Sequence, residues 1–186
     1  KGRAAHAGVE PEKGISAILE LSKQVTYLHE LTDYSKGTTV NVGKITGGTT
    51  VNVIAAEAEA DIDLRVKTKA EFDRIIPIIK NLKPSTTGVE VSVAGGINRP
   101  PFERTDQVIS LFNMAKKVAQ ENLGFKLEEK ETGGGSDGNF TAPFAPTLDG
   151  LGAVGDGAHA LNEHIIISQM PKRSALLALL IKELAN

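Results

Sequence analysis

The spacing of apolar residues divides the chain into alternating helices and strands. Ile15, Ile18, Leu21, Val25 and Leu28 recur at three- and four-residue steps, which predicts an amphipathic helix. Pro11, just upstream, suits a first helical turn. Residues 39–45 are rich in β-branched side chains and read as a strand. Gly47-Gly48-Thr49 turns the chain. From 57 to 66, Ala58, Ala60, Ile62, Leu64 and Val66 alternate with Glu57, Glu59, Asp61, Asp63 and Arg65. That period of two buries one face of a strand and wets the other. Phe72, Ile75, Ile76, Ile79 and Leu82 form a second helical stripe, closed by Pro84. Residues 89–93 alternate again, and residues 3–6 supply one more strand. The order β-α-β-β-α-β predicts a split βαβ, ferredoxin-like unit: a four-stranded antiparallel sheet with both helices on one face.

Gly95-Gly96 and Asn98-Arg99-Pro100-Pro101 interrupt this pattern, and a boundary after residue 98 follows. Beyond it, Val108, Leu111, Phe112, Ala115 and Ala119 make a helix. Residues 125–129 read as a short strand and residues 165–167 as a short buried one. Ser168 is placed to cap a last helix carrying Leu176, Leu177, Leu180, Ile181 and Leu184. Glycine is dense between these elements, which signals backbone held close to something. Residues 99–186 have too few elements for a convincing domain alone. They read as the closing portion of a larger α/β sheet.

Composition narrows the function classes. The 186 residues carry 21 basic and 23 acidic side chains, a net charge of −2. There is no basic excess to attract nucleic acid. Cysteine is absent, which rules out disulfides, thiolate metal sites and a thiol nucleophile. The apolar run at 175–181 falls short of the ~20 residues that span a bilayer. No signal peptide is visible, and a cytoplasmic setting is expected, with the periplasm or secretion left open. The chain opens at Lys1 rather than Met, and its first residues read like the middle of a longer protein.

Four histidines are the scarce reactive groups. His29, near the end of the first helix, is accounted for by the helix dipole. His164 opens an apolar strand and reads as structural or solvated. His159 lies in Gly155-Asp156-Gly157-Ala158-His159-Ala160, a loop of the kind in which α/β proteins place ligand groups, and imidazole there can hold a metal. His6 is flanked by small residues that leave the ring sterically open; with Gly8 behind it, it is either a functional group or only a strand end. Residues 150–155 match G-x-G-x-x-G, but no helix follows to hold a pyrophosphate, so a dinucleotide site is rejected. The run Thr132-Gly133-Gly134-Gly135-Ser136-Asp137-Gly138 lacks the Lys of a phosphate loop. It is either an anion cradle of successive amides or a flexible loop.

Taken together, several of these segments resemble the dizinc exopeptidases and amidohydrolases, the family of glutamate carboxypeptidase, aminoacylase, acetylornithine deacetylase and succinyl-diaminopimelate desuccinylase. The resemblance covers essentially the whole chain. It rests on Lys1-Gly2-Arg3-Ala4-Ala5-His6-Ala7-Gly8, on Asn52 in Thr-Val-Asn-Val-Ile-Ala-Ala, and on Ala60-Asp61-Ile62-Asp63-Leu64-Arg65. It continues through the glycine run at 132–137 and through Gly155-Asp156-Gly157-Ala158-His159. Residues 146–152 look most like the glutamate carboxypeptidase branch.

The resemblance implies a lid, or dimerisation, domain at 1–98. Residues 99–186 would then be the C-terminal segment of a zinc-binding catalytic domain whose preceding segment is missing. It implies two zinc ions in the parent protein, with His159 as a terminal ligand. His6 would reach the active site of the other subunit of a homodimer and stabilise an oxyanion. Asn52 and Arg65 would hold the substrate's carboxylate, although an ordinary ion pair also accounts for Arg65. Gly134, Gly135 and Ser136 would supply donors near the substrate, and Arg99 would approach the site. The substrate would be a small peptide or N-acyl amino acid, cut at its C-terminal amide bond with release of glutamate or another amino acid. The family's His-x-Asp, its paired glutamates and a further carboxylate ligand are absent here. The chain alone is therefore expected to hold no zinc pair tightly and to be inactive. The competing reading is a homodimerisation or binding module without its own catalysis.

Overall fold

The computed structural model describes residues 1–185. They divide into two compact units, Lys1–Pro101 and a second that begins at Phe102.

In the first unit, Ser16 opens helix α1 (Ala17–Glu30) by accepting the Leu19 N–H on its hydroxyl at 3.1 Å. Strands β1 (Thr38–Gly47) and β2 (Ala58–Val66) pair antiparallel, with Thr38 opposite Val66 and Gly47 opposite Ala58. A one-residue bulge at Gly43 interrupts the ladder between Val42 and Lys44. Helix α2 (Lys69–Lys80) follows, capped by the Thr68 hydroxyl on the Glu71 N–H. The alternation along β2 does what its period requires: Ile62 and Leu64 join Val40 and Val42 on one face. Leu28 of α1 and Ile75 and Ile79 of α2 pack onto that face. Both helices therefore lie on the same side of the hairpin. Leu28 and Ile75, which are fully buried, each stabilise the unit by about 1.5–3 kcal/mol.

The expected four-stranded ladder is reduced to two regular strands among the described residues. The N-terminal segment is extended, but its hydrogen bonds go to three different stretches. Lys1 and Glu90 exchange two backbone bonds (2.7 and 2.9 Å), Arg3 and Ile15 exchange two more, and Gly2 donates to Ala56. No single neighbour runs alongside long enough to make a ladder. Gly88 and Gly95, both at positive φ, break the run around 89–93 at each end.

The face that α1 buries also differs from the apolar stripe. Ala17, Glu20, Gln24 and Leu28 are buried, whereas Ile18 is 46% exposed. Gln24 donates to Glu20 and to the Lys83 carbonyl, and the Ser85 N–H donates to Glu20 Oε1. The two polar side chains replace water for the turn after α2, which is why they lie inside. Pro11 sits in a separate 3-10 turn (Pro11–Lys13), not in α1.

In the second unit, helix α3 (Asp106–Leu123) is capped by Thr105 and stopped by Gly124 in the left-handed region. A short helix α4 (Gly138–Thr141), a small hairpin of β3 (Gly155–Asp156) and β4 (His164–Ile165), and helix α5 (Met170–Leu184) complete it. Ala115, Val118 and Ala119 of α3 pack against Leu176 and Leu180 of α5, with Leu127 beside them. Three expectations fail here. Residues 125–129 form no strand, because no described segment pairs with them. Leu127 is nonetheless buried, and Arg104 grips Glu129 through two bonds of 2.8 and 2.7 Å. Residues 165–167 are exposed rather than buried, with Ile167 in a 3-10 turn. Ser168 lies within that turn and caps nothing; α5 starts at Met170, with Pro171 in its first turn.

Candidate functional site

His6 closes the extended N-terminal segment. It bridges Val53, and the next residue, Ala7, donates its N–H to the Asn52 carbonyl at 2.9 Å. Two candidates from the sequence, 46 positions apart along the chain, are thus brought together through the backbone. The chain then turns: the Val9 and Glu10 amides both donate to the His6 carbonyl at 3.3 Å. Within this turn the Gly8 N–H donates to His6 Nδ1 at 3.1 Å. The imidazole is exposed. Asn52 is treated alike. The Thr50 hydroxyl donates to Asn52 Oδ1 at 2.5 Å, which occupies the acceptor and leaves the amide NH2.

An open apolar groove adjoins this region. Its lining includes Ile18, Leu19, Val51, Val53 and Ile54, with Thr86 and Thr87 at its edge. Arg65 stands on the wet face of β2, opposite Thr39, and donates to Asp63 Oδ2 at 2.9 Å, an exposed ion pair along one strand. Arg99 is exposed in the stretch before Pro100.

In the second unit, the glycine run spends part of its donor capacity on itself. The Gly134 N–H donates to the Thr132 hydroxyl (3.2 Å) and the Ser136 N–H to Asn139 Oδ1 (2.8 Å). The Ser136 hydroxyl accepts from the Gly138 N–H at 2.9 Å. A Cβ on Gly138 would come within 2.7 Å of the Phe102 ring, which would have to shift to admit it. Gly135 is exposed in the same loop.

His159 sits at the tip of the β3–β4 hairpin with φ of 65°, in the left-handed region that a non-glycine residue seldom adopts. Its N–H faces Glu163 Oε2 at 3.4 Å, and the Ala160 N–H closes the turn on the Gly157 carbonyl at 2.8 Å. The ring is exposed. His164, on β4, pairs its Nδ1 with the Asn162 carbonyl at 2.9 Å. Arg173 of α5 holds the loop ahead of the hairpin by donating to the carbonyls of Gly150, Leu151 and Gly152. No group of three or more His, Cys, Asp or Glu residues able to hold a metal occurs among the described residues. His29, on α1, accepts the Val42 N–H on Nε2 at 3.3 Å, in keeping with a structural role. Thr50 and Arg173 were not singled out by the sequence, and Gly8 entered only as the end of the motif around His6.

Residues 1–85 match a family model described as a peptidase dimerisation domain. This segment belongs to the M20 peptidase dimerisation-domain family. The dimerisation-domain segment contains His6, Asn52 and Arg65. Similarity extends beyond it. Carboxypeptidase G2 of Pseudomonas sp. strain RS-16 is 31% identical over 189 residues, covering 98% of this chain and 45% of that protein. An uncharacterised protein of Bacillus subtilis strain 168, YqjE, is 32% identical over 190 residues, covering 100% and 50%. The crystal structure of aminopeptidase PepT from Bacillus cereus superposes with a TM-score of 0.64 at 25% identity, covering 100% of this chain and 50% of that one. The chain thus spans about half the length of the curated relatives it matches, and those named for an activity are peptidases or hydrolases.

Proposed function

We propose that this chain is the lid and C-terminal catalytic segment of a zinc-dependent hydrolase. The enzyme would cut the C-terminal amide bond of small peptides or N-acyl amino acids, including substrates that release glutamate. The observation that carries it is the junction of His6 and Asn52 within the dimerisation-domain segment, where His6 bridges Val53 and the Ala7 N–H donates to the Asn52 carbonyl. The similarity to carboxypeptidase G2 supports the substrate class. In this reading the segment joins two copies. His6 of one copy donates to the oxygen that gains charge during amide cleavage in the other, a contact that favours the transition state over the substrate. To Asn52 and Arg65 the reading assigns contacts with the substrate's carboxylate, and to Arg99, Gly134, Gly135 and Ser136 separate contributions to substrate binding.

The described residues do not form a zinc site by themselves, because His159 has no second and third ligand around it. The reading therefore puts the other ligands of the zinc pair, and the general base, in a part of the parent protein outside these 186 residues. No step through the metal is assigned to this chain. Zinc counted after loading and desalting should approach zero per chain. Two tightly held ions per chain would overturn that division of labour. In the complete enzyme, His6→Ala should lower kcat by about 100-fold, the scale of one lost oxyanion donor, with zinc content unchanged. An unchanged kcat removes His6 from the mechanism. Sedimentation of the 186-residue chain tests the pairing of copies: a dimer is expected, and a monomer at all concentrations counts against it.

A further inference from the structure

The imidazole of His6 has two nitrogens, and the structure occupies one of them. The Gly8 N–H donates to Nδ1 at 3.1 Å, so Nδ1 must carry a lone pair and the ring's proton sits on Nε2. We infer that the Gly8 amide is a positioning group that fixes the His6 ring as an Nε2–H donor, preset for an acceptor-only oxygen such as an oxyanion or carboxylate. The inference rests on the role given to His6 above and adds what sets it.

Three further observations bear on it. The ring lies against the turn itself: a Cβ on Gly8 would sit 3.7 Å from Cε1 and 3.8 Å from Nδ1, ordinary contact distances. The turn is held on both sides, by Ala7 on Asn52 and by Val9 and Glu10 on the His6 carbonyl, so the Gly8 N–H cannot swing away cheaply. And the other histidines with a ring bond are set the opposite way. His164 Nδ1 faces the Asn162 carbonyl and must carry the proton, while His29 Nε2 accepts the Val42 N–H and must lack it. Among these three, only at His6 does a backbone donor leave the ring proton on Nε2. A ring whose Nδ1 already accepts a bond presents its N–H from Nε2.

The test reads the ring directly. Long-range proton–nitrogen spectra of the ¹⁵N-labelled 186-residue chain, taken where imidazoles are neutral, distinguish the two tautomers. Loss of one ring signal in His6→Gln assigns it. The Nε2–H form should predominate at His6. Gly8→Pro deletes the donor and should move His6 to the mixture of a free imidazole; Gly8→Ala keeps the N–H and the tautomer. An Nδ1–H or mixed ring in the unaltered chain overturns the inference. So does a folded Gly8→Pro chain whose Nε2–H fraction is unchanged, because a free imidazole already favours that form. Should Gly8→Pro not fold, the unaltered chain and Gly8→Ala still decide. These outcomes are independent of kcat in the complete enzyme. A His6 that is inert there sinks the proposed role and leaves the tautomer standing.

Discussion

Glu71 shows how a single carboxylate organises the first unit. Arg74 and then the Thr38 hydroxyl bond it, and together they hold its carboxyl down at about 2. Glu20 reaches about 2 by another route: burial pushes it up, but bonds from Gln24 and Ser85, with help from Thr86, outweigh that. Both folded values lie below the ordinary glutamate value of ~4.3. Each carboxylate therefore stabilises the fold fully above that value, and the contribution drains away as pH falls toward about 2. The melting temperature measured against pH should drop steeply across that window, and Glu20→Gln with Glu71→Gln should flatten the drop. Replacing Glu20 with Gln should also cost about 1–2 kcal/mol near neutrality, read by urea titration, as charged hydrogen bonds become neutral ones. Thr38→Val should lower the melting temperature at neutral pH, with Thr38→Ser restoring it.

At the scale of elements, helices and the long hairpin were legible because their periodicity is local. Ile75 and Ile79 in α2, and Ile62 and Leu64 in β2, face where their spacing says. The rest depended on neighbours that periodicity does not see. Glu20 and Gln24 are buried because the turn after α2 needs their oxygens and nitrogens, which displaces Ile18 to the surface. Residues 125–129 have the composition of a strand, but a strand also needs a partner. At the candidate site, the histidines and Asn52 stood out by scarcity and motif. The donor roles of Gly8 and Thr50 did not, since a turn amide and a hydroxyl have no sequence signature of their own. The hairpin that carries His159 is held closely. A Cβ on Gly155 would fall 2.0 Å from the His164 carbonyl, so Gly155→Ala should unpair β3 from β4. Fast amide exchange limited to 155–165, with α3 and α5 still protected, is the expected record. Arg173→Ala should loosen 150–152 in the same measurement and leave the hairpin bonds intact.

For the molecule as a whole, two separate apolar clusters matter most. One gathers Leu28, Val40, Ile75 and Ile79; the other Ala115, Val118, Ala119, Leu127, Leu176 and Leu180. Ile75→Ala and Leu176→Ala should each cost about 2–5 kcal/mol, and each loss should appear as faster amide exchange in its own unit. Equal loosening of both units by either substitution would contradict two independent cores. The bulge at Gly43 has a different consequence. Val42 faces Ile62 and Lys44 faces Asp61, so the ladder on either side would keep its partners if Gly43 were deleted. An insertion at this position is therefore silent in register and expressed only as curvature. Homologous chains could gain or lose the residue without re-sorting which side chains are wet. The difference between them would be the angle at which the far end of the hairpin, and the 48–57 loop that carries Asn52, is presented.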